Sequence, residues 1–266
     1  MRHRRHGRRV RADASSESSG VRFPFARPRD LVELPLFPLP LVLFPGQVLP
    51  LKIFEYRYRI MTHTLLQTDL RFGVVYANEV TGTAAAIGCV AEVLKHEKHP
   101  EDRFTLVCKG QQRFRVHEIV RTKPYLVARV EWLEDRPSAE PAPGEDAETL
   151  AREVEGLMKD VIRLSNKVSG KQNKKDKEGD DLRKQAFPTP FSFWVASTFE
   201  GAPAEQQALL ELTDTTERLK REQSTLRNTL NYLTAATAVK DVFRSSSSKD
   251  TPEDFPSEEP PVGGPD

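Results

Sequence analysis

Cysteine is scarce in this chain, and neither sign of charge is in surplus. Two cysteines among 266 residues are too few for a disulfide framework or a thiolate zinc site. A hairpin of 86–98 with 103–117 around the turn sequence HPED leaves Cys89 and Cys108 about four residues out of register. Both are therefore expected as free, partly buried thiols, which suits a reducing compartment. Charged residues make up 30% of the chain, yet the net charge is +1, which removes any bulk electrostatic case for a nucleic-acid or membrane partner. Long uninterrupted apolar runs are missing too. The richest stretch, ELPLFPLPLVLFPGQVLPL (33–51), contains Pro35, Pro38, Pro40, Pro45 and Pro50, which donate no backbone hydrogen bonds and would break a membrane helix. No G-x-x-x-x-G-K-[ST] loop, G-x-S-x-G elbow or H-E-x-x-H pair occurs. The segment VSGKQNK has the Gly-Lys pair without the earlier glycine or the magnesium-binding hydroxyl. Nucleotide-driven, serine-elbow and zincin hydrolysis are thereby excluded as readings of these residues.

What is present is segmental. Residues 1–12 hold six arginines and no acid, so the remainder carries −5. This start lacks the apolar stretch of a secretory signal. With SSESSG behind it and VRA before Asp13, it reads as a transit peptide, and a chloroplast stromal address is expected, with cytosol or mitochondrion as alternatives. Residues 1–30 show no apolar periodicity and are expected to be disordered.

From Leu31 the pattern changes. Residues preceding proline are pushed to extended geometry, so 33–51 reads as a strand and turns entering a core. IFEYRYRIMTHTLLQTD (53–69) sets Phe54, Tyr58, Met61 and Leu65 at helical spacing, and RFGVVYAN (71–78) reads as a buried strand. In RFTLVCKGQQRFRVHE, Phe104, Leu106, Cys108, Phe114 and Val116 alternate with Thr105, Lys109, Gln111, Arg113 and Arg115, a half-buried strand bent at Gly110. YLVARVEWLED sets Leu126, Ala128, Val130 and Trp132 against Arg129 and Glu131. A small antiparallel barrel over 31–135 accommodates all of these.

The proline-rich segment 136–147 reads as a linker, and 148–243 as a helical subdomain with a mobile polar loop over 168–184. Its first helix presents Leu150, Val154, Leu157, Met158, Val161, Ile162 and Leu164. Thr189 is placed to cap the next, with Pro190 at its first position and Phe191, Trp194, Val195 and Phe199 on its face. Gly201 stops that helix, Pro203 starts another, and the pair Asp214 and Glu217 opens the last, which is expected to run to Phe243. Residues 244–266 read as a disordered tail. Leu212, Leu219, Leu226 and Leu233 recur every seven residues, but Asp214 interrupts the ladder, so a face of Leu219, Leu226, Leu230, Leu233, Ala236 and Val239 is expected against the chain's own helices. His96, His99 and His117 do not converge on a hairpin, and neither metal nor cofactor is expected. Arg113, Arg115 and Arg129 lie on the outward side of the predicted sheet, either as a solvated face or as a nucleic-acid surface with Tyr125 alone nearby for stacking.

These segments resemble a family. LPLFPLPLVLFPGQVLPLKIFEYRY, DLRFGVV, the isolated Gly88, GQQRFRV and PYLVARVEWLED, followed by FSFWVASTFEGAPAEQQALLELTDTTERLKREQSTL, are similar in order and spacing to the Lon amino-terminal, or substrate-binding, domain over about 31–240. The resemblance implies an α+β fold, a PUA-like small antiparallel β-barrel followed by a C-terminal helical bundle. It also implies a non-catalytic module for unfolded or extended polypeptides, without a membrane partner and with a protease or chaperone as a further partner. Lon's ATPase and Ser-Lys protease domains have no room in 266 residues, so a stand-alone protein of the plant plastid type is expected. The proline-rich loop and the helix after it are the expected binding ledge, through Leu39, Leu41, Phe44, Pro45, Phe54 and Tyr58. RNA binding through a PUA-like barrel, using Arg113, Arg115 and Arg129, is the alternative.

Overall fold

Two prolines in the middle of the first strand decide how that strand is used. β1 (Val32–Leu39) pairs antiparallel with β6 (Leu126–Leu133) through Val32–Leu36, and parallel with β3 (Arg71–Asn78) through Leu36–Leu39. Each half of β1 thus has one neighbour there, and Pro35 and Pro38 can each turn the nitrogen that lacks a hydrogen toward the other flank. The computed structural model describes residues 31–136, 146–169 and 188–247, with side chains to 239. The expectations for 1–30, for most of the linker and the polar loop, and for 248–266 lie outside the described residues.

Three further strands complete the sheet: β2 (Val48–Ile53), β4 (Thr83–His99) and β5 (Arg103–Arg121). The order is β2-β5-β4-β3-β1-β6, and β6 pairs back onto β5 to close the barrel. Closure is uneven, because β5 pairs with β2 through Phe104–Lys109 and with β6 through Arg113–Arg121. The expected all-antiparallel barrel is corrected at β1 and β3. Their parallel pairing requires a crossover, supplied by β2 and the helix α1 (Tyr56–Leu65) between them. Tyr58, Met61 and Leu65 of α1 are buried against Phe37, Phe72 and Leu106, as their spacing predicts, but the helix starts after Phe54. Cys89 and Cys108 are free and buried, and burial pushes the Cys108 thiol up to about 12.

The helical half comprises α2 (Ala147–Ser169), α3 (Thr189–Ser197), α4 (Pro203–Glu211) and α5 (Thr215–Ser247). Leu150, Val154 and Met158 of α2 pack with Leu219 and Leu226 of α5, the intramolecular pairing expected of those leucines, but Val239, expected on the same face, is exposed. Asp214 caps α5, its Oδ1 accepting from the Thr216 N–H at 2.7 Å and the Glu217 N–H at 3.3 Å. Thr189 is not a cap. It is the first residue of α3, and its hydroxyl bonds the Thr215 hydroxyl at 2.8 Å. Strands and helices belong to one compact unit. Among the described residues no helix is long and apolar enough to cross a membrane.

Candidate functional site

The apolar loop after β1 turns inward. Val42 and Phe44 pack with Ile87 of the barrel and with Phe193, Ala196, Leu209 and Leu210 of the helices. Phe44 has 0% of its surface exposed. Gly46 turns the chain at φ +83°, a conformation glycine adopts without a Cβ penalty. Gly110 lies so close beneath that an added Cβ would sit 2.0 Å from the Phe44 carbonyl oxygen. The expected binding ledge is therefore corrected. Phe44 seals the seam between barrel and helices, and Tyr58 lies in the barrel core with its ring 3.8 Å from that of Phe37. Leu39 and Leu41 are half-buried against the same core, and Pro45 is half-buried. Of the six residues only Phe54 stands out, 67% exposed. Apolar content marks this loop for burial, and the distant helices that bury it leave no local trace.

The expected basic face is corrected too. Arg113 is 2% exposed and reaches into the helical half. It donates to the carbonyl oxygens of Leu210 and Leu212, pairs with Asp135, and lies over the Phe193 ring. Arg218, fully buried on α5, grips the same Asp135 through both terminal nitrogens at 2.9 and 2.8 Å. It also donates to Leu209, Ser192 and Leu212. Two cations thus sit on the carbonyl end of α4, where the helix dipole is negative. Burial works to raise the Asp135 pKa, but hydrogen bonds and charge from Arg218, with help from Thr215 and Arg113, bring it below the usual carboxylate range. Burial lowers Arg113 to about 10, against the pull of Asp135. Arg129 is exposed but spent on Glu118 and Glu33, which leaves Arg115 exposed and, among the described residues, without an ion pair.

An open feature lies at the opposite end of β5. A cleft of about 580 Å³ is bounded by Lys52, Ile53 and Phe54 at the end of β2 and by His99–Glu101 and Arg103–Thr105 at the β4–β5 tip. Ile53 and Phe104 form its apolar floor, and Tyr56 follows Phe54 with 71% exposure. The tip is held in unusual backbone geometry, with Glu101 at φ 61° and Asp102 at φ 58°. Such non-glycine residues cost roughly 1–3 kcal/mol each and gather at binding sites. Side chains of α1 hold the tip in place. Arg59 donates to the Glu101 carbonyl at 2.7 Å, and the His63 ring nitrogen meets both Asp102 oxygens at 2.9 Å. Lys98 pairs with Asp102 at 2.9 Å, and hydrogen bonds from His63 and then Lys98 hold that carboxyl below its ordinary range. Among the histidines weighed as ligands, His99 bonds Thr105 and His117 bonds Glu131. Among the described residues no three metal-binding side chains converge. Sequence reasoning selected Phe54 but missed Tyr56, Lys52 and the tip. The one available signal was two aromatics flanking a single residue at a strand end.

A family model described as the ATP-dependent protease La (LON) substrate-binding domain matches residues 33–228. Lon protease 2 of Myxococcus xanthus is 30% identical over 227 residues, covering 81% of this chain and 26% of that protein. Lon protease of Anaeromyxobacter dehalogenans is 28% identical, covering 81% of this chain and 25% of its own length. The chain thus spans about a quarter of these relatives. Among solved structures, a Lon N-terminal domain protein from Xanthomonas campestris aligns with a TM-score of 0.51 at 26% identity, over 71% of this chain and 96% of that one. The N-terminal domain of the Mycobacterium avium complex Lon protease aligns at 0.52 over 75% and 98%, and its 18% identity supports the fold alone.

Proposed function

Because the chain belongs to the family of the Lon substrate-binding domain, we propose that it recognises polypeptide segments without chemistry of its own, as an adaptor or accessory factor in protein quality control. The observation that carries this reading is the cleft at the end of β2, where Phe54 is 67% exposed, with Tyr56, 71% exposed, two residues beyond it. Large exposed aromatics beside a concave, partly apolar surface suit an unfolded chain, which offers apolar side chains and needs no shaped partner. A protease or chaperone acting on the same clients is the proposed partner, and residues 1–30 are proposed to direct the protein to the chloroplast stroma.

The test uses a permanently unfolded, reduced and carboxymethylated model protein, with binding followed by fluorescence anisotropy. Phe54→Asp and Tyr56→Ser, both at exposed positions, are expected to weaken binding at least about tenfold, or 1.4 kcal/mol, with the circular dichroism of the fold unchanged. Full binding by the doubly substituted protein overturns the assignment. A fluorescent reporter fused behind residues 1–30 tests the address, and diffuse cytosolic signal overturns it.

A further inference from the structure

The cleft continues onto the outer face of β2, β5 and β4. Strand register sets Lys52 beside Thr105, Val107 beside Lys95, and Lys109 beside Val48. All three lysines are exposed, and among the described residues none has a carboxylate within ion-pairing distance. The acids of the same face make other contacts. Glu101 pairs with Arg103, Glu92 accepts from Gln111, and Glu97 faces the His99 ring at 4.0 Å. Outside the Glu101–Arg103 pair the face carries three lysines against Glu92 and Glu97, with Glu92 opposite Lys109 in register, so the amines are in excess on a face of mixed sign.

Resting on the polypeptide-binding reading above, we propose that this surface selects extended segments in which an apolar side chain, seated against Phe54, is followed by acidic residues at alternate positions. Lys52 is the specificity-determining residue at the cleft, and Lys95 and Lys109 extend the preference along the sheet. The spacing follows from strand geometry. Val107 and Lys109 lie two and four residues beyond Thr105, about 7 and 14 Å along β5, the interval at which an extended chain repeats a side chain on one side.

Selection falls to side chains because the backbone edge is interrupted. The Gly110 N–H donates to the Gln47 carbonyl at 2.8 Å, so by alternation Gln47, Leu49, Leu51 and Ile53 turn their backbone groups to β5, and Val48, Pro50 and Lys52 turn theirs outward. Pro50 has no N–H to offer, and continuous strand addition stops there. Nucleic acid is the poorer occupant. Glu92, Glu97 and Glu101 stand among the lysines, whereas phosphate-dominated binding needs a surface of one sign.

The experiment compares three short fluorescein-labelled peptides on the full chain. Each carries Leu-Phe followed by alternate-position Glu, Gln or Lys in an otherwise Gly-Ser frame. The Glu peptide is expected to bind at least about tenfold tighter than the Gln peptide, the Lys peptide weakest, with the difference shrinking as salt is raised. Lys52→Glu is expected to abolish or reverse the order. Equal binding of the Glu and Gln peptides, lost together in Phe54→Asp, overturns the acidic preference and leaves polypeptide recognition standing. A preference that survives Lys52→Glu overturns the role of Lys52. No binding of any peptide or of the unfolded protein brings down the underlying reading, and unfolded-protein binding that ignores Phe54→Asp moves it away from this cleft. Displacement of the Glu peptide by a single-stranded RNA oligomer at physiological salt replaces polypeptide with nucleic acid.

Discussion

Glu222 on α5 is fully buried, and neither carboxylate oxygen has a hydrogen-bond partner among the described residues. Arg218 lies one turn earlier, yet its guanidinium already makes five contacts, to Leu209, Leu212, Ser192 and twice to Asp135. A guanidinium has five N–H donors, so none remains for Glu222. Burial raises the Glu222 pKa well above the usual carboxylate range, and the Arg218 charge offsets only part of that. With the folded value raised, the folded state binds more protons than the unfolded chain above the unfolded value near 4.3, so this residue's contribution falls as pH rises. Glu222→Leu is expected to stabilise the protein at neutral pH by about 1–3 kcal/mol, the cost of an unsatisfied buried polar group. Glu222→Gln is expected to match wild type in mild acid and exceed it increasingly as pH rises. Urea titrations across the pH range check both, and a Gln variant with the wild-type slope overturns the account. None of this was legible in the sequence. Glu222 and Arg218 look like exposed helix charges, and alternation placed Arg113 outward. β4 advances two residues from Cys89 to Ala91 while β5 spends three between Gly110 and Arg113, an extra residue that shifts the alternation.

At the scale of elements, alternation and helical period were enough wherever a segment has one dry face. RFGVVYAN is β3 to the residue, and the 3.6-residue pattern of Leu150, Val154 and Met158 marks the buried side of α2. Boundaries failed where tertiary contacts set them. α1 begins after the extended Glu55, at φ −69° and ψ 137°, which leaves Phe54 outside the helix and free for the cleft. Gly110 looked like a bend and is a close approach. Gly110→Ala is expected to cost about 1–3 kcal/mol, as overpacking against backbone does, seen as a lowered urea midpoint with unchanged m-value. Pro50 is the complementary case, since its missing N–H protects the free edge of β2. Pro50→Val is expected to leave the monomer fold intact and promote self-association, measured by light scattering against concentration. A variant that stays monomeric at every concentration removes the edge-blocking role.

The molecule as a whole is held together at the seam where Phe44 meets the helices and Asp135 meets two arginines. Removing one partner of a buried charge cluster typically costs about 3–5 kcal/mol, so Asp135→Asn is expected to destabilise barrel and helices together, in one transition. Its folded pKa is lowered, so its contribution is complete above the unfolded value near 3.9 and is lost as pH falls through the folded one. The variant should therefore lose stability at neutral pH and show a shallower acid limb. Thermal melts at pH 7 and below pH 4 test this, and an unchanged acid limb overturns it. The sequence by itself determined the strands, the helices and the family, because alternation, helical period and motif order are local or colinear properties. The tertiary structure alone decided which apolar residues remain wet and which charges become dry. Exposure depends on what packs against a residue from elsewhere in the chain, so Phe44 vanished under distant helices while Phe54, ten positions on, stayed in solvent.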